Sequence, residues 1–255
     1  MKDTKPSSTS LNSAEKTGIN NNVIFILNNA ITISRLLKEY EMIKVAPSIL
    51  SADFCKMAEA MDNLKKWHAD LVHCDVMDGV YVPNITFGMP MISALRKYTD
   101  LPLDAHLMIT KPEKYVEQFC KAGADIVTFH PEASDDVLGA LETIKSCGKK
   151  CGVAVNADQS LDIAVPYLDK IDLLVIMTVQ AGFGGQSFKE NCLDKARRAD
   201  EIRKERGLDF LIEIDGGVCP ENIRLVKSVG TDIAVAGSAV FKASDPHKAI
   251  EAMQI

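Results

Sequence analysis

The stretch LVHCDVMDGVYVPNITF, residues 71–87, predicts a strand whose two faces differ in chemistry. Apolar and polar residues alternate along its first half, and an Asp-Gly pair then ends the run with a turn signal. Successive side chains of a strand point to opposite faces, so His73, Asp75 and Met77 share one face. A face that carries imidazole, carboxylate and thioether groups indicates a functional site. The competing interpretation is a half-exposed strand of an antiparallel sheet.

Around this stretch, short β-branched runs alternate with longer segments of helical periodicity from residue 43 onward. Strands are predicted near residues 43–49, 70–77, 101–108, 124–130, 150–155, 171–178, 210–215 and 232–237. Helices are predicted near residues 55–67, 89–98, 112–122, 134–147, 160–169, 190–206, 220–229 and 245–253. Eight such repeats predict parallel strands with right-handed crossovers, and eight strands close a (β/α)₈ TIM barrel of a single α/β domain. A doubly wound open sheet is the alternative, but polar residues end nearly every predicted strand, as a site at a barrel mouth requires.

The first 41 residues differ in composition from the rest of the chain. Residues 1–22 are rich in Ser, Thr, Asn and Lys, which predicts disorder, and residues 23–41 carry a rough apolar stripe that predicts one helix. No cleavage signature or Arg-rich amphipathic face indicates a targeting peptide. We therefore expect a partly disordered N-terminal extension over 1–41 and a barrel domain over 42–255.

Composition excludes several classes of protein. The 255-residue chain is 47% hydrophobic and 25% charged, which is typical of a globular protein with a sizeable core. Its net charge of −6 and the lack of a basic run predict no nucleic-acid partner. The seven cysteines form no CxxC pair, which indicates reduced thiols and a cytoplasmic location. The apolar run at 23–27 is too short to cross a membrane, so no membrane association is expected.

Two further predicted strands carry the same kind of polar face as the first. Asp104, His106 and Met108 share a face of the third strand, and Glu213 and Asp215 share a face of the seventh. Closing the strands into a barrel would bring His73, Asp75, His106 and Asp215 together at its mouth. Two imidazoles and two carboxylates suit zinc, or iron(II), manganese or cobalt. Asp104 and Glu213 either hold the histidines by hydrogen bonds or belong to a polar barrel core, and the sequence leaves both interpretations open.

Glycines at three neighbouring strand ends indicate a phosphate site. Gly182 to Ser187 follow the sixth strand, Asp215-Gly216-Gly217 end the seventh, and Gly237-Ser238-Ala239 end the eighth. Glycine lets backbone N–H groups approach an anion, and phosphate sites of such barrels commonly follow strands seven and eight.

A metal site beside a phosphate site suggests a phosphorylated sugar as the substrate. A divalent ion near a ketone stabilises the ene-diolate that forms when a proton leaves the adjacent carbon. Asp75 and Asp215, on distant strands, can face each other across the mouth as base and acid. Removing a proton on one face and returning one on the other inverts that carbon, which is an epimerisation.

Over residues 43–255 the chain resembles the ribulose-phosphate 3-epimerase family. The matching segments are APSILSADF (46–54), HCDVMDGVYVPNITFG (73–88), DAHLM (104–108), IMTVQAGFGGQSF (176–188), EIDGGV (213–218) and AGSAVF (236–241). The resemblance implies that D-ribulose 5-phosphate and D-xylulose 5-phosphate are interconverted at C3 in the pentose phosphate pathway. It also implies a homo-oligomer, such as a dimer or hexamer.

The resemblance assigns roles to residues of this chain. It implies one divalent ion, Zn²⁺ first, with Fe²⁺, Mn²⁺ or Co²⁺ as alternatives, held by His73, Asp75, His106 and Asp215, the two aspartates being the acid/base pair. It implies a substrate-binding set of Ser48, Met77, His106, Met108, Met177, Gly182, Gly184, Gly185, Gly216, Gly217, Gly237 and Ser238. The three methionines are equally compatible with filling gaps in the core.

Two loops depart from the family pattern. The family usually has Asn-Pro before the glycine of the sixth-strand loop and again after strand five, where this chain has Gln180-Ala181 and Asn156-Ala157. Without proline, φ is free and the open loop has more conformational entropy. Since loops of this kind often act as lids, we predict altered loop closure and a weakened substrate affinity.

Three other functions compete with this interpretation. A D-allulose 6-phosphate 3-epimerase would use the same apparatus on a ketohexose. A phospho-sugar lyase or aldolase would use a similar barrel, although no predicted strand carries an inward lysine for Schiff-base chemistry near its end. A non-catalytic phospho-sugar-binding barrel is the third, and the full set of acid/base residues argues against it.

Overall fold

A computed structural model describes residues 42–255 of the chain. The predicted disordered segment over 1–22 and the predicted helix over 23–41 lie outside the described residues.

Eight short strands form one parallel sheet in the described part of the chain. They are β1 (Lys44–Pro47), β2 (Val72–Met77), β3 (Leu103–Met108), β4 (Ile126–Phe129), β5 (Lys150–Val155), β6 (Leu173–Met177), β7 (Leu211–Asp215) and β8 (Ile233–Ala236). Each observed strand falls inside the range predicted for it from periodicity. The predicted alternation of strands and helices is confirmed.

The sheet curls into a nearly closed barrel. The hydrogen-bonded order is β1-β8-β7-β6-β5-β4-β3-β2, so β1 and β2 are the two ends of the ladder. An isolated parallel bridge between Ser48 and His73 joins these ends, and the Asp70 N–H donates to the Val45 carbonyl at 3.0 Å. The predicted TIM barrel is therefore confirmed, and the doubly wound sheet is excluded.

Helices cover the outside of the barrel. They are α1 (Met57–Lys66), α2 (Met89–Leu95), α3 (Val116–Ala122), α4 (Val137–Ser146), α5 (Leu193–Arg206), α6 (Ile223–Lys227), α7 (Ser238–Phe241) and α8 (Pro246–Met253). Local capping explains several ends: the Asp136 carboxylate accepts from the Gly139 N–H at the start of α4, and Gly207 ends α5 at φ 62°.

The helix predictions fail at two places. The helix predicted over 160–169 is instead two 3₁₀ turns, Leu161–Ile163 and Val165–Tyr167. Pro166 explains this, because it has no N–H to donate and disfavours helical backbone in the residue before it. The one-turn helix α7 was not predicted, since four residues after a glycine carry no periodic signal.

The apolar core has two layers separated by the strands. The larger layer lies between strands and helices and includes the outward residues Val72, Cys74 and Val76 of β2. The smaller layer fills the barrel interior and includes Met77 and Met108. The predicted parity of β2 is thus the observed one, and its polar face points into the barrel.

Among residues 42–255, no helix combines the length and apolar character that crossing a membrane would require.

Candidate active site

Polar residues of the stretch 71–87 hold the loop that follows β2 in place. The Asp78 carboxylate accepts from the Val80 and Tyr81 N–H groups at 2.8 and 2.9 Å and from the Thr110 N–H at 2.8 Å. The Thr86 hydroxyl donates to the Asp75 carbonyl at 2.6 Å. These bonds fold the loop back over the end of β2 and hold the backbone that carries Asp75.

The four predicted metal ligands meet inside the barrel mouth. One ligand atom from each of His73, Asp75, His106 and Asp215 lies within 4.8 Å of the others. His73 Nε2 lies 3.6 Å from Asp75 Oδ1, and His106 Nδ1 lies 3.6 Å from Asp215 Oδ2. Both of these nitrogens are buried and have no hydrogen-bond partner. The residues predicted from sequence are therefore brought together, and one ring nitrogen of each histidine faces the two carboxylates without a hydrogen-bond partner.

Acidic side chains surround the inner side of His73. Its Nδ1 lies 2.7 Å from Asp104 Oδ2 and 3.4 Å from Glu213 Oε1. Burial disfavours the charged imidazole, but the carboxylates of Asp75 and Asp104 outweigh it and raise the pKa of His73 well above its usual value. Of the two interpretations left open for Asp104, hydrogen bonding to a histidine is the observed one.

A third histidine, which the sequence analysis missed, lies behind His106. His130 follows β4, is fully buried, and its Nε2 lies 2.9 Å from His106 Nε2. Burial lowers the pKa of His130 to about 4, so this imidazole is neutral at pH 7. His106 thus receives its support from an uncharged ring.

His130 in turn faces a hydrogen-bonded group at the rim of the barrel. Its Nδ1 lies 3.6 Å from Glu132 Oε1, the oxygen that accepts from the Tyr81 hydroxyl at 2.6 Å and the Asn156 amide at 2.9 Å. Burial opposes the charge of Glu132, but His130 and these donors outweigh it and lower its pKa to about 2. Glu132 is therefore a fixed carboxylate and can only accept hydrogen bonds.

Strand parity could have identified two of these missed residues, His130 and Asn156. His106 is in register with Thr128 on β4, and both Ile126 and Thr128 point inward, so residue 130 shares their face. The same parity on β5 places residue 156 inward beside Ala154. No sequence signal joins Glu132 or Tyr81 to the site, because strand parity does not extend to the 3₁₀ turn Pro131–Ala133 or to the loop after β2.

The two candidate acid/base groups have different partners. The Ser48 hydroxyl donates to Asp75 Oδ2 at 2.5 Å, and burial of Asp75 is outweighed by His73, His106 and this bond, which lower its pKa. Asp215 is held through its backbone, since the Thr178 N–H and hydroxyl donate to its carbonyl at 2.8 and 3.0 Å. Asp75 is thereby kept ionised although it is buried.

A cleft of about 570 Å³ opens above the carboxylates. Of the predicted substrate-binding set, the cleft is lined by Ser48, Met77, Met108, Met177, Gly182, Gly184, Gly185, Gly216, Gly217, Gly237 and Ser238. His106, the remaining member of that set, does not line the cleft, whereas Asp75 and Asp215 do. The methionines contribute apolar surface to the cleft that contains Asp75 and Asp215, and the glycines contribute backbone.

Two of these glycines lie where an added side chain would come too close to neighbouring atoms unless those atoms moved. Gly217 has φ +68°, and a Cβ there would lie 2.8 Å from the Phe188 backbone nitrogen. A Cβ on Gly237 would lie 2.5 Å from the Ser51 hydroxyl. Backbone therefore lines this end of the cleft, as expected for a site that binds an anion through N–H groups.

The two loops without proline are tied down by hydrogen bonds from elsewhere. The Asn84 amide donates to the Gly182 carbonyl at 2.8 Å, and Ala181 is buried beside it. The Lys195 ammonium donates to the Asn156 and Ala157 carbonyls at 2.5 and 3.1 Å. Altered loop closure and weaker substrate affinity remain predictions.

Solved structures and curated proteins were compared with this chain. KGPDC from Streptococcus mutans superimposes with a TM-score of 0.64 at 17% identity, over 83% of this chain and 95% of that one. 3-Hexulose-6-phosphate synthase from Salmonella typhimurium gives 0.58 at 22% identity, over 83% and 96%. These two likenesses show the barrel fold alone.

Sequence relatives carry more specific information. The ribulose-phosphate 3-epimerase of Bacillus subtilis is 47% identical over 82% of this chain and 97% of its own length, and that of Synechocystis is 48% identical over 82% and 91%. The chloroplastic ribulose-5-phosphate-3-epimerase of Arabidopsis thaliana is 46% identical over 82% and 75%. A sequence model described as the ribulose-phosphate 3 epimerase family matches residues 44–241. The chain therefore belongs to the ribulose-phosphate 3-epimerase family of enzymes.

Proposed function

We propose that this enzyme interconverts D-ribulose 5-phosphate and D-xylulose 5-phosphate by a metal-dependent proton exchange between two aspartates. One observation carries the proposal: the carboxylates of Asp75 and Asp215 lie close to ring nitrogens of His73 and His106 that have no hydrogen-bond partner. The family membership supports the substrate, and the geometry supports the chemistry.

The residues at the centre fit a divalent ion. Two buried imidazole nitrogens have no hydrogen-bond partner and lie beside two carboxylates, and a cation that displaces any proton from these nitrogens would satisfy all four groups. His73, Asp75, His106 and Asp215 would hold it, and this donor set suits Zn²⁺, Fe²⁺, Mn²⁺ or Co²⁺. When bound, the ion supplies Lewis acidity that stabilises negative charge developing on the substrate oxygens.

The aspartates move the proton. In one direction the Asp75 carboxylate removes the proton from C3, and Asp215 in its acid form donates one to the opposite face of the ene-diolate. In the reverse direction the roles exchange. The Ser48 hydroxyl, donating to Asp75 Oδ2, leaves Oδ1 directed at the centre. Each turnover moves one proton from carbon to one carboxylate and one from the other carboxylate to carbon, so the pair must reset before the next turnover.

The walls of the cleft position the substrate. Met77, Met108 and Met177 are buried around the carboxylates, and their apolar side chains exclude water from the carbanion-like intermediate. Backbone N–H groups near Gly184-Gly185, Gly216-Gly217 and Gly237-Ser238 would bind the phosphate. The phosphate and C3 would thus be held at opposite ends of one cleft. A homo-oligomer remains a prediction from the family resemblance.

The proposal is tested by incubating the enzyme with D-ribulose 5-phosphate in D₂O and following D-xylulose 5-phosphate and deuterium at C3. We expect turnover and C3 labelling, both abolished by stringent chelation and restored by Zn²⁺, Fe²⁺ or Mn²⁺. Turnover that survives stringent chelation would remove the ion from the mechanism. Carbon–carbon cleavage would indicate a lyase, and turnover of D-allulose 6-phosphate alone would indicate the ketohexose enzyme.

A further inference from the structure

His130 contacts neither the cleft nor the four candidate ligand atoms, yet it is the hydrogen-bond partner of one ligand. Its Nε2 lies 2.9 Å from His106 Nε2, with the two ring centroids 5.1 Å apart and the ring planes inclined by 27°. The ring also packs against that of Tyr81, with the centroids 4.9 Å apart. Both histidines are completely buried, so water does not compete for their nitrogens.

A hydrogen bond between two ring nitrogens needs one donor and one acceptor, so one proton must lie between His106 and His130. If His106 Nε2 carries it, His106 Nδ1 is bare and can donate a lone pair. If His130 Nε2 carries it, neutral His106 must hold its proton on Nδ1, the atom that faces Asp75 and Asp215. The direction of one hydrogen bond therefore decides whether His106 can bind a cation.

Glu132 sets that direction. Its Oε1 lies 3.6 Å from His130 Nδ1, which is too long for a hydrogen bond but close enough for a strong electrostatic effect. The oxygen is fixed in place by donors from Tyr81 and Asn156. A carboxylate facing Nδ1 favours the tautomer of His130 with N–H at that atom, and that tautomer leaves Nε2 as an acceptor.

We propose that His130 is a positioning residue that holds His106 as the Nε2–H tautomer and so presents His106 Nδ1 to a divalent ion. Glu132, at the barrel rim, fixes the tautomer of His130. This inference rests on the ion site of the proposed function. It adds a requirement that the four ligands alone do not contain, namely a proton on the far side of His106. Removing such a partner typically lowers metal affinity by about 10- to 100-fold.

Two substitutions separate the hydrogen bond from the packing. His130→Phe keeps an aromatic ring between His106 and Tyr81 but has no acceptor. His130→Gln loses the ring, but its amide oxygen is as many bonds from Cβ as the Nε2 of histidine and can accept from His106. His247→Phe is the matched control, because His247 is exposed and its ring contacts only surface groups in the described part of the chain, the His68 ring at 5.2 Å and the Trp67 carbonyl at 3.3 Å.

The experiment measures the affinity of the metal-free full chain for Zn²⁺ by competition with a chromophoric chelator. Histidine tautomers are read by NMR of ¹⁵N-histidine-labelled protein, which is tractable with five histidines in the chain. We expect His130→Phe to weaken Zn²⁺ binding by about 10- to 100-fold and to remove the Nε2–H signal of His106. We expect His130→Gln to bind within a few-fold of wild type, like the His247→Phe control. Thermal unfolding in the presence of chelator checks that each variant folds.

Each outcome decides the inference. Wild-type affinity in a folded His130→Phe variant would overturn it and leave the ion site intact. A His130→Gln variant as weak as His130→Phe would overturn it as well, because packing rather than the hydrogen bond would then be responsible. If wild type binds no Zn²⁺, the ion site of the proposed function fails first, and this inference fails with it.

Discussion

The two histidines of the candidate ion site perform the same task with opposite kinds of support. The His73 corner (His73, Asp104 and Glu213) places acidic groups behind the ring, and the nearer one lies 2.7 Å away. The His106 corner (His106, His130 and Glu132) places a neutral imidazole there at 2.9 Å and keeps the carboxylate one residue further out. Lowering the pH therefore stabilises the His73 corner, whose histidine gains from being protonated, and destabilises the His106 corner, whose supporting histidine is neutral.

The difference shows how net charge is limited in a buried site. Asp75 and Asp215 already place two carboxyl groups at the centre, and Asp104 adds a third within the same barrel. A further carboxylate behind His106 would add more uncompensated charge in a low dielectric. A neutral histidine fixes the tautomer of His106 without that charge. Four sets of measurements test whether the two corners differ in this way.

The largest loss of activity is expected for substitutions of the two aspartates that lie between the His73 corner and the His106 corner. Asp75→Asn and Asp215→Asn each remove one proton carrier, and general acid/base catalysis contributes about 10²- to 10⁴-fold, so kcat should fall by that factor. Each variant should still exchange the C3 hydrogen of one epimer with D₂O faster than it epimerises. Equal loss of exchange from both epimers in both variants would show that the aspartates do not act on opposite faces.

The pH dependence of stability should come from the His106 corner on the acid side. His130 faces His106, Glu132 and Asp215, and its pKa in the folded state is about 4, below the usual 6.5. Between these values the unfolded chain binds more protons, so the free energy of unfolding should fall on acidification from pH 6.5 to pH 4, by on the order of 3 kcal/mol. His130→Gln lacks this titration and should show a flatter profile.

Urea unfolding of the metal-free protein at several pH values measures this. Parallel profiles for wild type and His130→Gln would contradict a neutral buried His130. The free energy of unfolding changes with pH in the opposite sense at the His73 corner. Because folding raises the pKa of His73, the stabilisation from its protonated ring is fully present below its usual pKa and is lost as the pH rises through its pKa in the folded state.

Asp104→Asn tests the charged support directly. The amide keeps the size of the carboxylate but can donate to His73 Nδ1, which would place the His73 proton on Nε2, the atom needed for the ion. We expect Zn²⁺ affinity to fall by about 10- to 100-fold, as for His130→Phe. Competition titration of both variants compares the two supports on one scale, and an unchanged affinity would show that Asp104 does not set the tautomer.

The smallest effect is expected for Glu213→Gln. Burial and the neighbouring Asp104 raise the pKa of Glu213 well above its usual value, which favours the neutral acid form of this side chain. Glutamine is neutral and of the same shape, and the free energy of unfolding should change by no more than about 0.5 kcal/mol. Chemical unfolding and a Zn²⁺ titration measure this. A tenfold loss of affinity would show that Glu213 acts on His73 as a carboxylate.

Local sequence patterns predicted most of the strands and helices of the fold. Short β-branched runs predicted all eight strands, and the inward faces of β2, β3 and β7 followed from parity alone. The prediction failed where a single residue overrides periodicity, as Pro166 does between the two 3₁₀ turns. It also failed at α7, whose four residues are too few to show a helical period.

Strand parity was enough to predict which side chains point into the barrel, because side-chain direction in a strand depends only on parity. Parity identified His73, Asp75, His106 and Asp215, and the sequence motifs identified the family. What lies behind each histidine became known only from the folded barrel. Hydrogen bonds between strands depend on register and closure, which join residues far apart in the chain, such as Asp104 to His73 and Tyr81 to Glu132. The proton on the far side of each ligand is therefore a property of the barrel, not of any one strand.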